Sequence, residues 1–242
     1  MKLIALGTNG WMPTNGQKTS SFLIEYKGYL IILDCGSGLS NLFRYEDILK
    51  KYSHVHIILT HYHLDHIIGI SYLNNFFPDY NIHLYGPGEP YYSSVTEKLA
   101  DFTSEDFFSR SALNMGKSLT VTNYGLEGFD IGEIRLTVNI QDHSSHSFAI
   151  TIDDKLHYAT DTSIIEHNFQ LGSEVDLLLH ECYDLGESSL GHSSLGEILE
   201  MKAKYGLDNI YLVHKNPNWS LEDLEAIRKE LPVLKDGDIL EF

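Results

Sequence analysis

Residues 59–69 read LTHYHLDHIIG, and within them His61, His63, Asp65 and His66 crowd three imidazoles and a carboxylate into six positions directly after an apolar run. Ring nitrogens and carboxylate oxygens are the donors that divalent transition ions take. Residues two apart on an extended chain point the same way, so His61 and His63 can reach one ion, while Asp65 and His66 in the turn that follows can serve a second. One strand end thus supplies half of a dinuclear site, and the other half must come from elsewhere in the chain.

The remaining donors are sought where other strands end, because strand ends lying side by side bring such residues together. His143 follows IRLTVNIQD, Asp161 follows LHYAT and His214 follows IYLV. The natural division gives His61, His63 and His143 to one ion and Asp65, His66 and His214 to the other, with Asp161 bridging. His146 competes with His143 for the third position, and His143 is preferred because it lies closer to the preceding strand. Asp161 and His214 alone would be ordinary turn residues; they gain weight from the set. Asp34 and Asp142 are the expected acceptors for ligand imidazole N–H groups, a partner that metal-bound histidines nearly always have.

The elements that must position these residues are legible in the apolar pattern. Strands are predicted at 2–6, 22–26, 29–34, 55–59, 82–86, 134–140, 148–152, 156–159, 176–179 and 210–213, with Lys27-Gly28 closing a hairpin between the second and third. A helix is expected near 39–49, with Leu39, Leu42, Phe43 and Leu49 on one face, and helical stretches at 92–100 and 104–109. Ser194 with Glu197, and Ser220 with Asp223, read as capping boxes opening two late helices. Strands inside and helices outside suggest a layered α/β sandwich.

At 242 residues, 43% of them hydrophobic, the chain is long enough to bury a large core, and with no low-complexity linker it reads as one domain, 1–242. The apolar run Leu3 to Leu6 is too short for a signal-peptide core or a membrane span, and two cysteines, Cys35 and Cys182, make no disulfide scaffold. A cytoplasmic protein with no membrane partner is expected. A formal charge of −17 repels polyanions, which disfavours extended nucleic-acid binding while leaving room for a small anion at a cationic metal site.

His61, His63, Asp65 and His66 meet the His-x-His-x-Asp-His motif, and in this the chain resembles the metallo-β-lactamase superfamily. The resemblance runs through LGTNGWMP, LIILDCGSG, HYATDT around Asp161, LLLHE at 177–181, GHSS at 191–194 and LVHKNP at 212–217. These details are most similar to the phosphodiesterase branch that includes ribonuclease Z. The resemblance implies an αββα four-layer sandwich, two divalent ions (Zn2+ first, Mn2+ or Fe as alternatives) and a homodimer as a common assembly.

It also implies that the metals acidify water to a hydroxide nucleophile, so no nucleophilic serine or cysteine is needed. Asp65 and His192 are then the catalytic candidates, His192 as proton donor to the leaving group beside the helix opened by Ser194, with Glu181 available to pair with it or with His180. Two features depart from the ribonuclease-like pattern. Phe148-Ala149 stands where a Gly-aromatic pair is usual, and there is no long basic Gly/Pro-rich arm for gripping transfer RNA. The expected function is therefore hydrolysis of a small phosphodiester, cyclic ones included. The alternatives are a ribonuclease Z-like endonuclease, a lactone, thioester or β-lactam hydrolase, and a non-catalytic metal-binding module.

Overall fold

The computed structural model describes residues 1–109 and 111–242. Its strands are β1 (Lys2–Gly7), β2 (Ser21–Tyr26), β3 (Tyr29–Leu33), β4 (His54–Ile58), β5 (Asn81–Pro87), β6 (Ser118–Tyr124), β7 (Phe129–Ile131), β8 (Ile134–Gln141), β9 (Ser147–Ile152), β10 (Leu156–Ala159), β11 (Leu177–Glu181), β12 (Ile210–Val213) and β13 (Ile239–Glu241). The helices are α1 (Glu46–Leu49), α2 (Leu64–Ile67), α3 (Leu73–Phe76), α4 (Val95–Phe102), α5 (Glu166–Gly172), α6 (Leu195–Tyr205) and α7 (Leu221–Ile227).

Two sheets form, ordered β13-β1-β2-β3-β4-β5-β6 and β12-β11-β10-β9-β8-β7. In the first, β3 to β6 run parallel; in the second, β10, β11 and β12 run parallel, and β9 is antiparallel to both β8 and β10. The carboxyl ends of β8, β10, β11 and β12 therefore share one edge.

Alternation along the strands explains the layering. Leu3, Ala5, Phe22, Ile24, Ile31 and Leu33 face Ile134, Leu136, Phe148, Ile150 and Tyr158 across the inter-sheet core. Their neighbours Ile4, Leu6, Leu23 and Ile32 turn the other way and pack beneath Leu39, Leu42, Ile70 and Leu99. Leu178 and Leu212 of the second sheet are covered by Phe169, Ile198 and Ile227. Strands apolar on both faces belong to sheets buried on both faces, and the result is the four-layer αββα sandwich.

Local chemistry sets the turns. Lys27 and Gly28 take φ of 46° and 78°, the positive pair a tight hairpin needs. Both capping boxes form, on Ser194 and on Ser220.

Two expectations fail. Residues 37–45 wind as a 3-10 helix, and at three residues per turn Leu39 and Leu42 line up while Phe43 rotates away to 61% exposure. Residues 104–109 form turns, with the Phe107 and Phe108 amides both donating to the Ser104 carbonyl. Among the described residues no helix is long and apolar enough to cross a membrane.

Candidate metal centre

The strand ends converge as their order requires. His61, His63 and the α2 turn bearing Asp65 and His66 leave β4 of the first sheet; His143, Asp161 and His214 follow β8, β10 and β12 of the second. Donor atoms of His61, His63, His143 and Asp161 lie within 4.8 Å of one another, as do those of Asp65, His66 and His214, and those of Asp161, His192 and His214. Asp161 stands between the groups. Its Oδ1 lies 3.9 Å from His61 Nε2 and 3.5 Å from His143 Nε2, while its Oδ2 lies 3.0 Å from His66 Nε2 and 3.2 Å from His214 Nε2. Asp65 Oδ2 is 3.5 Å from His66 Nε2 and 3.3 Å from His214 Nε2. His146 is exposed instead, packed against Tyr91 and Tyr92.

Backbone strain collects here. Trp11, Asp34, Asp161 and His214 all adopt positive φ, between 47° and 57°. Such conformations cost roughly 1–3 kcal/mol each and persist only where surroundings impose them. Asp34, Asp161 and His214 sit just past strands and swing their side chains across the strand ends, while Trp11, four residues beyond β1, turns its amide toward Asp65. Gly36 permits another close approach: a Cβ there would lie 2.2 Å from the Asp65 carbonyl.

The ring nitrogens that face away from the cluster are tethered. Asp34 Oδ2 accepts from His66 Nδ1 at 2.8 Å and from the Tyr158 hydroxyl at 3.0 Å, and Asp34 Oδ1 accepts the Thr60 amide at 2.8 Å. His61 Nδ1 lies 3.1 Å from Thr60 Oγ1. His143 Nδ1 donates to the Gly191 carbonyl at 2.8 Å. This corrects the expectation for Asp142, which is exposed; a backbone carbonyl fills that place. Glu181 Oε2 accepts from His192 Nδ1 at 2.9 Å and approaches His214 Nδ1 at 3.3 Å, too poorly aligned to count as a bond. His180 turns instead to the Glu181 carbonyl at 2.7 Å.

The donor set fits cations. His61 Nε2 and His66 Nε2 are fully buried and have no hydrogen-bond partner, although buried polar nitrogens are rarely left so. Charge tells the same story. Burial and the neighbouring His66 hold His61 well below the usual imidazole range. Burial would also lower His66, yet Asp161, Asp65 and Asp34 outweigh it and hold that imidazole well above its ordinary value. His214 is raised to about 10, because Asp161, Asp65 and Glu181 overcome its burial. Asp65 and Asp161, despite burial, are held well below the usual carboxylate range by His66 and His214. Buried carboxylates thus draw positive charge into the cluster, from protons on His66 and His214 or from metal ions that would displace them.

Several contributors carry no sequence signal. The Trp11 amide donates to Asp65 Oδ2 at 2.7 Å, and Tyr183 stacks on His192 with ring centroids 4.4 Å apart. Gly10 lets the chain pass the His214 ring, where a Cβ would come within 2.5 Å of Cε1. Backbone donors and glycine contacts have no letter of their own; the hint for Gly10 and Trp11 was their place in the LGTNGWMP stretch after the first strand. Trp11, Ser144, Tyr183 and His192 line a recess of about 180 Å³ above the cluster.

Two facing sheets with a His/Asp cluster at their shared edge define a metal-dependent hydrolase of the metallo-β-lactamase superfamily, ribonuclease Z-like in kind. The chain is 27% identical over 251 residues to the "Probable metallo-hydrolase YhfI" of Bacillus subtilis (strain 168), covering 99% of this chain and 96% of that one. It is 24% identical over 304 residues to a ribonuclease Z of Thermococcus onnurineus (strain NA1), covering 100% and 95%. The crystal structure of YhfI superposes with a TM-score of 0.78 at 22% identity, over 100% of this chain and 99% of that one. A diphosphatase from the PhnP family superposes at 0.77 and 18% identity, over 100% and 97%. The chain belongs to the family described as "Anti-Pycsar protein Apyc1", whose model matches residues 1–232.

Proposed function

We propose that this chain, as one hydrolase domain, is a dinuclear metal-dependent phosphodiesterase acting on a small, cyclic-type phosphodiester. His61, His63, His143 and Asp161 would hold one divalent ion and Asp65, His66, His214 and Asp161 the other, with Zn2+ the first choice and Mn2+ or Fe as alternatives. The observation that carries the reading is Asp161, whose two oxygens face the two donor groups separately at 3.0–3.9 Å. Ions held there supply Lewis acidity toward a phosphoryl oxygen and acidify water at neutral pH.

The chain's own residues do the rest. Asp65, fixed by the Trp11 amide, orients the attacking water. His192 gives the leaving oxygen its proton: Glu181 holds Nδ1 in a hydrogen bond at 2.9 Å, which sets the ring's orientation and leaves Nε2 for the substrate. Tyr183 stacked on the imidazole keeps it in place. The net charge of −17 and the small recess favour a compact substrate over structured RNA.

The test is reconstitution with Zn2+ or Mn2+ and assay of a chromogenic phosphodiester beside a β-lactam, a lactone and a thioester. Preference for the diester, with kcat falling roughly 10²–10⁴-fold in His192→Ala while metal content stays intact, is the expected outcome. Turnover of one of the other bonds in its place, or of none, overturns the reading.

A further inference from the structure

A second group of histidines lies at the opposite end of β4, about 20 Å from His61 at the 3.3 Å rise of a strand residue. His54 and His56 stand two apart on β4, and His83 of β5 pairs with His56 in register. The three rings lie nearly parallel: His54 and His83 have centroids 5.2 Å apart at 10°, and His56 and His83 are 4.7 Å apart at 11°. They line a solvent-open recess of about 460 Å³ with Tyr29, Lys51 and Tyr52.

Hydrogen bonding fixes the tautomers. Ser118 Oγ donates to Asn81 Oδ1 at 2.8 Å, so the Asn81 amide nitrogen donates to His54 Nε2 at 3.2 Å. His54 Nδ1 must then carry the ring's proton and donate to His83 Nε2, 2.9 Å away. A single proton thus holds together two imidazole nitrogens from neighbouring strands.

We propose that His54 and His83 form a second, peripheral site for a divalent transition ion of borderline softness, with two imidazole nitrogens as ligands and the other positions left to water. At metal–nitrogen distances of about 2.0–2.1 Å, two nitrogens 2.9 Å apart subtend roughly 90°. That is the cis angle of a tetragonal site, which suits Cu2+ or Ni2+, and Cu2+ binds most strongly in the series. Centroids 5.2 Å apart with 10° between the planes set the two nitrogens head to head, so both rings turn by about 45° to aim their lone pairs at one ion, by rotation about soft side-chain torsions.

The recess has one lysine at its rim and a histidine as its inner wall. Lys51, on the rim of the recess, pairs with Glu25 at 3.5 Å, a carboxylate that Lys2 also approaches at 3.5 Å and to which the Tyr52 hydroxyl donates. His56 forms the inner wall, its Nδ1 lying 3.2 Å from the Tyr85 hydroxyl.

The experiment titrates Cu2+ into enzyme already loaded with its catalytic ions and follows it by electron paramagnetic resonance. One added equivalent with nitrogen hyperfine structure is expected. His54→Ala and His83→Ala should each weaken it at least tenfold and leave hydrolysis unchanged, while His146→Ala and His167→Ala leave it intact. His54→Gln and His83→Gln serve should either alanine variant misfold. No added equivalent, wild-type affinity in either His54→Ala or His83→Ala, or loss on His146→Ala or His167→Ala instead would overturn the proposal.

Discussion

Replacing Gly10 with alanine tests the centre without touching any donor. The new Cβ would lie 2.5, 2.7 and 2.8 Å from Cε1, Nδ1 and Nε2 of His214. Ordinary carbon contacts begin near 3.5 Å, so the ring must retreat by about 1 Å. It has nowhere free to go. His192 stacks against it at 5.9 Å and 14°, Tyr183 lies 6.0 Å away, and Glu181 Oε2 stands 3.3 Å from Nδ1.

If His214 holds an ion as proposed, a shift of that size costs on the order of 10²-fold in rate, equivalent to about 2.7 kcal/mol of transition-state stabilisation. Overpacking adds roughly 1–3 kcal/mol of destabilisation, which at this chain length lowers Tm by about 2–4 °C per kcal/mol. The assay pairs kcat/KM on a chromogenic diester with metal content by elemental analysis. Gly10→Ala should keep its circular dichroism, lose about 100-fold in kcat/KM and lose occupancy of the ion attributed to Asp65, His66 and His214. Wild-type kcat/KM with full metal content would refute the geometry.

Other outcomes follow from the same contacts. Asp34→Ala removes the acceptor for His66 Nδ1 and should weaken Zn2+ binding about 10–100-fold in a chelator competition, with little change in far-ultraviolet dichroism. His143→Ala should strip metal and activity while His146→Ala, at an exposed position outside the cluster, should leave both near wild type; elemental analysis of the two proteins decides it. In the metal-free protein His214 is raised from near 6.5 to about 10, so its charge stabilises the fold fully below pH 6.5 and that contribution is lost as pH climbs through 10. Melting curves of metal-free protein should therefore drop by several degrees between pH 7 and 10, and Zn2+-loaded protein should show a smaller drop; parallel curves would count against it.

Sequence made the donors legible because metal ligation is a property of side-chain type. His61, His63, Asp65 and His66 announce themselves by spacing, and His143, Asp161 and His214 by following apolar runs. The structure brings all seven together, with the Glu181 pairing falling on His192 and the His66 partner on Asp34. What stayed hidden belongs to the main chain or to irregular winding: the Trp11 amide, the Gly191 carbonyl and the close pass of Gly10. Phe43 was misplaced because a 3-10 turn advances 120° per residue where an α-helix advances 100°. The polar alternation of β6, and the three residues each of β7 and β13, gave too little apolar pattern to register.

The division of donors between the sheets has a mechanical side. Each proposed ion would take ligands from both layers, His61, His63, Asp65 and His66 from one and His143, Asp161 and His214 from the other, and so would rivet the sandwich along one seam. Letting go of an ion then means prying that seam apart, so exchange would be paced by breathing of the layers as much as by the strength of individual bonds. Dilution would empty such a centre slowly, and warming would empty it abruptly.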